Sequence, residues 1–260
     1  MEGKSRVLPG RRRRTNRAAF LAYSLLFGLL FVMLAGLLLP GRSGAFRADT
    51  AARSFLDAFF DSSDGPAGSA EWDDLPRLRS SADRNNNGIS DTEDIIAGAR
   101  AYVQKRPLYR SAYYRGGYPP EGEGVCTDVI WAALQHAGYD LKQAMAADIR
   151  ANRGLYKRVG TPDANIDFRR VPNQIVYFKR HGKTLGTTIK PGDRENLTLW
   201  QPGDIVTFAN PDHVAILSDK RNREGVPFLL HNQGPWAEEG DDFMYWYERG
   251  ITGHFRFPAE

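Results

Sequence analysis

Cys126 is the residue best suited to covalent chemistry, and it is the single cysteine among the 260 residues. A cysteine attacks as the thiolate, and its ordinary pKa of about 8.5 leaves little thiolate at neutral pH. The residues before Cys126 (GYPPEGEG) are typical of a loop, whereas residues 126–137 carry apolar side chains on one face and predict a helix that stops at Gly138. The thiol is therefore expected at a helix N-terminus, where free N–H groups and the helix dipole favour an anion.

Two histidines follow at strand ends, and a thiol needs such a base to take its proton. His213 begins the predicted strand HVAILSD, and His231 lies near the end of the next one, FLLHN. If the two strands form a hairpin through residues 220–225, facing side chains lie about 5 Å apart and His231 can orient the His213 ring. Asn232 is the alternative orienting residue. A second interpretation stays open, in which Cys126 is a small buried apolar residue and both histidines are hydrogen-bonded strand ends.

The elements that would position these residues are predicted to be helices in the first part of the chain and strands in the second. Apolar spacing predicts helices over residues 49–61, 94–103 and 126–137. Runs of β-branched and aromatic residues between turns predict strands over 174–178, 204–208, 213–218, 228–231 and 254–257. Helices followed by strands indicate an α+β fold in which a helix packs on an antiparallel sheet.

Several segments together resemble a known family. They are GEGVCTDVIWAAL (122–134), NIDFRRVPN (165–173), WQPGDIV (200–206), HVAILSD (213–219), HNQG (231–234) and GHFR (253–256). The pattern resembles the NlpC/P60-like branch of the papain-like cysteine peptidases, and within it a bacterial family catalogued as domain of unknown function 1287. The resemblance covers residues 83–257.

That resemblance implies a papain-like α+β fold with Cys126 as nucleophile, His213 as general base and His231 as orienting residue. It implies amide hydrolysis through a thioester, on peptidoglycan peptides, without a cofactor required for catalysis. Two positions depart from the clan pattern, because Val125 precedes the cysteine where Asp is common and Asp128 stands where Gly is common. The alternatives are a module that binds wall peptides without turnover, and an acyltransferase that uses the same Cys/His site.

Polar residues of the insertion between Cys126 and His213 are candidates for substrate binding. Arginine binds carboxylates through two parallel hydrogen bonds, and peptidoglycan stem peptides carry free carboxylates. We therefore expect a substrate-binding set of Asp167, Arg169, Asn173 and Asn232. The alternative is that Asp167 pairs with an arginine inside the insertion and holds the loop.

Residues 83–94 (DRNNNGISDTED) have the oxygen spacing of a calcium loop. Side-chain oxygens fall at relative positions 1, 3, 5, 9 and 12, with Gly88 at position 6. The expected ligands of a structural calcium ion are Asp83, Asn85, Asn87, Asp91 and Asp94. The alternative is a turn that caps the next helix, with Ser90 or Asp91 as N-cap.

The N-terminus predicts a membrane anchor. Residues 1–17 contain seven cationic residues against one anionic residue, whereas the rest of the chain has 28 against 30, which argues against a nucleic-acid-binding body. Residues 18–39 are uncharged, and a helix of that length spans about 33 Å, enough for a bilayer core. The predicted order is a cytoplasmic arm (1–17), a transmembrane anchor (18–39), a stalk or linker (40–82) and an extracytoplasmic hydrolase domain (83–260). The alternative is secretion after cleavage near Ala45.

Overall fold

The computed structural model describes residues 70–259, which form a mixed α+β body. Its helices are α1 (Asp91–Gln104), α2 (Cys126–His136), α3 (Leu141–Asn152), α4 (Val171–His181), α5 (Arg194–Leu197) and α6 (Phe243–Tyr247). Its strands are β1 (Leu108–Tyr109), β2 (Glu123–Gly124), β3 (Lys183–Thr184), β4 (Ile205–Phe208), β5 (His213–Arg221), β6 (Pro227–Asn232), β7 (Ala237–Gly240) and β8 (Ile251–Arg256). Short 3-10 turns cover Ala70–Trp72, Arg153–Leu155 and Asp167–Arg169.

A six-stranded antiparallel sheet forms the centre of this body. Its strand order is β3-β8-β4-β5-β6-β7, and β1 and β2 form a separate parallel pair. The hairpin of β5 and β6 places Ile216 opposite Leu230, and the register shifts between Leu217 and Arg221. The prediction of a helix packed with an antiparallel sheet in an α+β fold is confirmed.

The two faces of the sheet bury different cores, because successive side chains of a strand point to opposite faces. Val214 and Ile216 of β5 pack with helices α1 and α2. Ala215 and Leu217 pack on the other face, in a cluster that contains Trp200, Phe243 and Trp246. This second cluster also buries Trp72 and Leu75, so the body includes residues that the composition assigned to the linker. Because the composition of that region is typical of a loop, it does not indicate that Trp72 and Leu75 are buried.

The predicted strand over residues 174–178 is wrong, because these residues lie inside helix α4. The run IVYF is rich in strand-forming residues, and that local preference favoured a strand. The residues of this segment that the fold buries include Val171, Gln174, Tyr177 and Phe178, whose spacing of three or four matches one helix face. Pro172 in the first turn is compatible with helix initiation.

The predicted membrane anchor at residues 18–39 and the helix at residues 49–61 lie outside the described residues. Among residues 70–259, every helix is too short or too polar to cross a bilayer.

Candidate active site

Cys126 is the first residue of helix α2, as predicted. The chain arrives through β2, and Val125 precedes the helix in an extended conformation with φ of −134°. The cysteine is only 6 % exposed, but it lines an open cleft of about 480 Å³. The thiol therefore lies at the inner wall of a space large enough for part of a peptide.

Burial and hydrogen bonding act on the thiol in opposite directions. Burial raises the pKa of Cys126 to about 12, because the thiolate loses its contact with water. Backbone N–H groups of Val214, Thr127 and Cys126 itself point at the sulfur and favour the anion, although they do not outweigh burial. The resting thiol is thus neutral, and three amide dipoles already point at the position where a negative charge would form.

His213 and His231 are paired, as the predicted hairpin requires. His213 Nε2 lies 2.8 Å from His231 Nδ1, and both rings are buried. Burial, followed by the neighbouring His231, lowers the pKa of His213 to about 2. The His213 ring is therefore neutral at physiological pH, and its burial disfavours the protonated form.

The hydrogen bond from the Val214 N–H relates the thiol to the strand that His213 begins. The Val214 N–H that contacts the sulfur belongs to the peptide bond between His213 and Val214. The His213 ring itself stacks on Trp246 on the sheet face opposite helix α2. Within residues 70–259 the hydrogen bond of this ring goes to His231 and not to the sulfur. The structure therefore does not bring the His213 ring to the thiol, and proton transfer between the two groups requires the His213 side chain to change its position.

An ion pair fixes the start of helix α2. Arg169 donates to both carboxylate oxygens of Asp128, at 2.7 and 2.8 Å, and both side chains are buried. The same carboxylate accepts the N–H of Val125 at 2.8 Å and the indole N–H of Trp131 at 3.0 Å. Asp128 therefore holds Val125, the residue before the thiol, and Trp131 in the next turn of the helix.

The predicted substrate-binding residues bond to protein groups in this structure. Arg169 pairs with Asp128, and Asp167 pairs with Arg170 at 3.2 Å, which is the internal pairing expected as the alternative. Asn173 donates to the Asp167 carbonyl at 2.9 Å. Asn232 donates to the carbonyls of Pro107 and Gly124, which anchors β6 to the loop before the thiol. Their role in substrate binding remains a prediction.

Other side chains line the cleft beside the thiol. The exposed Arg158, the half-buried Arg170 and the exposed Tyr109 contribute to it, together with Ser111 and Asp212. Burial, and then the nearby Cys126, raise the pKa of Tyr109. Sequence analysis did not select Tyr109, because a single tyrosine in a two-residue strand has no distinguishing pattern.

The WQPGD segment has a structural explanation. Trp200 stacks on His254 with ring centroids 4.1 Å apart, and Asp204 accepts from His254 at 2.8 Å. Asp204 also accepts from the Arg256 guanidinium and from the backbone of Gln201. These contacts join β8 to the turn before β4, so His254 stabilises the fold.

The carboxylates of the acidic loop before α1 accept hydrogen bonds from neighbouring protein groups. Asp83 accepts the N–H groups of Asn87 and Gly88, and Asp94 accepts from the amides of Asn85 and Asn87. Asp91 accepts from the Arg84 N–H and from the Tyr139 hydroxyl. Ser90 caps the helix, which was part of the alternative to calcium. Calcium binding stays a prediction, and a calorimetric titration without heat at millimolar calcium would contradict it.

Sequence analysis also missed Asp242 and Trp246, which contact the histidine pair. His231 Nε2 lies 3.3 Å from Asp242 Oδ2, and the Trp246 ring lies 4.0 Å from the His213 ring. Glu238 is close to both His231 and Asp242, with side-chain atoms of all three within 4.8 Å. Imidazole and carboxylate groups bind metals, but here Asp242 bonds to His231 and Glu238 bonds to Gln233, and we assign no metal to them.

The fold and the site define an α+β protein whose buried thiol, at the start of a helix, lies beside a strand that begins with one of two paired histidines. The chain belongs to the family described as Domain of unknown function (DUF1287), whose model matches residues 96–257. It is 36 % identical over 173 residues to the uncharacterized protein YijF of Escherichia coli strain K12, which covers 63 % of this chain and 80 % of YijF. No solved structure matches the chain.

Proposed function

We propose that this protein is a papain-like cysteine hydrolase of the NlpC/P60 kind that cleaves amide bonds in peptidoglycan peptides. The observation that carries the proposal is that Cys126, the first residue of helix α2, packs in one core cluster with Val214, the residue that follows His213 in β5. A helix that begins with cysteine and packs on an antiparallel sheet with histidine at a strand start supports the papain-like assignment.

The proposed reaction requires the His213 ring to turn from Trp246 toward the thiol when substrate binds. His213 Nδ1 then takes the thiol proton while the sulfur attacks the carbonyl carbon. The carbonyl oxygen becomes an oxyanion, for which the Cys126 N–H is one donor. Tyr109 is the proposed second donor, because this residue lines the same cleft as Cys126. Collapse breaks the carbon–nitrogen bond, and the imidazolium returns its proton to the leaving amine. Water, deprotonated by the same ring, then hydrolyses the thioester and restores the thiol.

The cleft supports a substrate with free carboxylates. Arg158 and Arg170 border the space in front of the thiol, and the guanidinium of Arg169 is already occupied by Asp128. Arginine at a cleft wall binds carboxylates well because its planar fork matches their geometry. Stem peptides of the cell wall present such groups.

The proposed localisation depends only on the N-terminal sequence. The cationic arm and the uncharged segment 18–39 would keep the chain in the membrane and place the hydrolase outside the cytoplasm. Protease treatment of intact spheroplasts should digest the body and spare the arm.

A module that binds wall peptides without turnover is the second candidate. The neutral resting thiol favours it, because burial raises the pKa of Cys126 to about 12. The acyltransferase alternative differs only in the acceptor, and an added amine nucleophile would yield an adduct in place of the hydrolysed acid.

Incubation of the full chain and its Cys126→Ala variant with purified muropeptides, followed by mass spectrometry, tests the proposal. Cleaved products with the wild type and none with the variant are expected. Binding of muropeptides without cleavage by either protein would establish the module instead.

A further inference from the structure

The segment around helix α6 holds the histidine pair from two directions. Asp242 is the residue before the helix, and its carboxylate reaches the edge of the His231 ring. Trp246, one turn later, lies flat on the His213 ring with an angle of 13° between the planes. One short segment therefore contacts both imidazoles.

The hydrogen bonds of this arrangement determine which nitrogens carry protons. An ionised carboxylate only accepts hydrogen bonds, so His231 Nε2 must be the donor to Asp242. The hydrogen bond from His231 lowers the pKa of Asp242, which keeps the carboxylate ionised. When His231 is neutral, it has one N–H, and its Nδ1 is an acceptor. In that state the 2.8 Å contact between the rings requires that His213 Nε2 donates and that His213 Nδ1 is unprotonated.

We propose that Asp242 is a positioning residue for the hydrolysis: acting through His231, it keeps the proton on His213 Nε2 and leaves His213 Nδ1 unprotonated, the form in which that nitrogen can act as a base. This inference rests on the proposed function. Asp242 touches neither thiol nor cleft, and its effect reaches the reaction through two successive hydrogen bonds.

Trp246 stacks on the His213 ring and defines its plane in the free protein. Its indole N–H donates to Gln233 at 3.0 Å, and Gln233 in turn donates to Glu238 at 3.1 Å. The indole is therefore held at its far edge while its face covers the imidazole. Two carboxylates lie near His231: Asp242, which bonds to it, and Glu238, which is bonded to Gln233.

Nitrogen NMR of the full chain labelled with ¹⁵N-histidine tests the tautomer directly. The five histidines are assigned with single His→Gln variants. In the wild type, His213 should have a protonated Nε2 and an unprotonated Nδ1. In Asp242→Asn the amide can donate to His231 Nε2, which reverses both rings and protonates His213 Nδ1.

Asp241→Asn is the matched control, because it removes the same charge one residue away. Asp241 is exposed and bonds to Asn222, not to either histidine. This variant should leave both tautomers unchanged. A wild-type His213 protonated at Nδ1, or a tautomer unaffected by Asp242→Asn, would overturn the proposal.

Muropeptide kinetics separate this inference from the proposed function. Asp242→Asn should lower kcat about 10²-fold or more, because the base is in the wrong tautomer, and leave KM within about twofold. Asp241→Asn should change neither. If the wild type does not turn over muropeptides, the proposed function fails while the tautomer result still stands; full kcat in Asp242→Asn would overturn the positioning role alone.

Discussion

His213 Nε2 and His231 Nδ1 lie 2.8 Å apart at the ends of two neighbouring strands, and Cys126 contacts the peptide unit that follows His213. This relationship assigns different roles to the two rings. His213 uses one nitrogen to bond to His231, so its other nitrogen is available as a base. His231 has no such free nitrogen, because Asp242 occupies its Nε2.

The first prediction concerns these roles. Cys126→Ala should abolish hydrolysis of muropeptides, and His213→Ala should lower kcat by roughly 10²- to 10⁴-fold, because it removes the base. His231→Ala should retain more activity than His213→Ala, because it removes only the orienting partner. Steady-state kinetics with circular dichroism as a control for folding measure the three effects, and equal residual turnover in all variants would contradict the assignment.

The second prediction is a pH dependence of thiol alkylation. Burial raises the pKa of Cys126 to about 12 and lowers the pKa of His213 to about 2, so both groups are neutral between these values. Because iodoacetamide reacts with the thiolate, the alkylation rate of the free protein should keep rising with pH beyond about 8.5, the range where an ordinary cysteine levels off. N-acetylcysteine is the reference, and a rate that is already constant below pH 7 would indicate a thiolate–imidazolium pair instead.

The third prediction concerns the ion pair at the start of α2. Arg169→Ala leaves the Asp128 carboxylate buried without its cation and should lower the free energy of unfolding by about 3–5 kcal/mol. Arg170→Ala is the matched control, because Arg170 is half-exposed and its pair with Asp167 should contribute at most about 1 kcal/mol. Urea unfolding followed by tryptophan fluorescence measures both, and similar losses in the two variants would contradict a special role for the buried pair.

The fourth prediction concerns the second oxyanion donor. Tyr109→Phe removes only the hydroxyl and should lower kcat about 10- to 10³-fold with little effect on KM. Tyr113→Phe controls for loss of a nearby hydroxyl, because Tyr113 bonds to Asp163 and does not line the cleft of Cys126. An unchanged kcat in Tyr109→Phe would assign the oxyanion to another donor.

Local patterns predicted the elements that carry the proposed catalytic residues. The helix after Cys126 and the strands that contain His213 and His231 have strong periodicity and clear turn residues, and the structure places them within a few residues of the predicted bounds. The segment 174–178 was misassigned because its strand-forming residues are overridden by burial of one helix face against the core.

Relationships between distant segments could not be predicted from the sequence. Arg169 lies 41 residues from Asp128, and nothing local distinguishes a partner in the core from a substrate ligand. Asp242 stands in an acidic and aromatic stretch without a motif, and its contact with His231 exists only because β7 returns the chain to the end of β6. In both cases the decisive information is the packing of the sheet.

Capture of the acyl-enzyme tests the central claim most directly. The full chain is mixed with purified muropeptides, quenched in acid within seconds and digested, and the peptide that contains Cys126 is weighed by mass spectrometry. The account predicts a thioester on Cys126 with the mass of the acyl half of the muropeptide, absent from Cys126→Ala, whose amide bonds stay intact. Cleavage of muropeptides that continues undiminished in Cys126→Ala would contradict it.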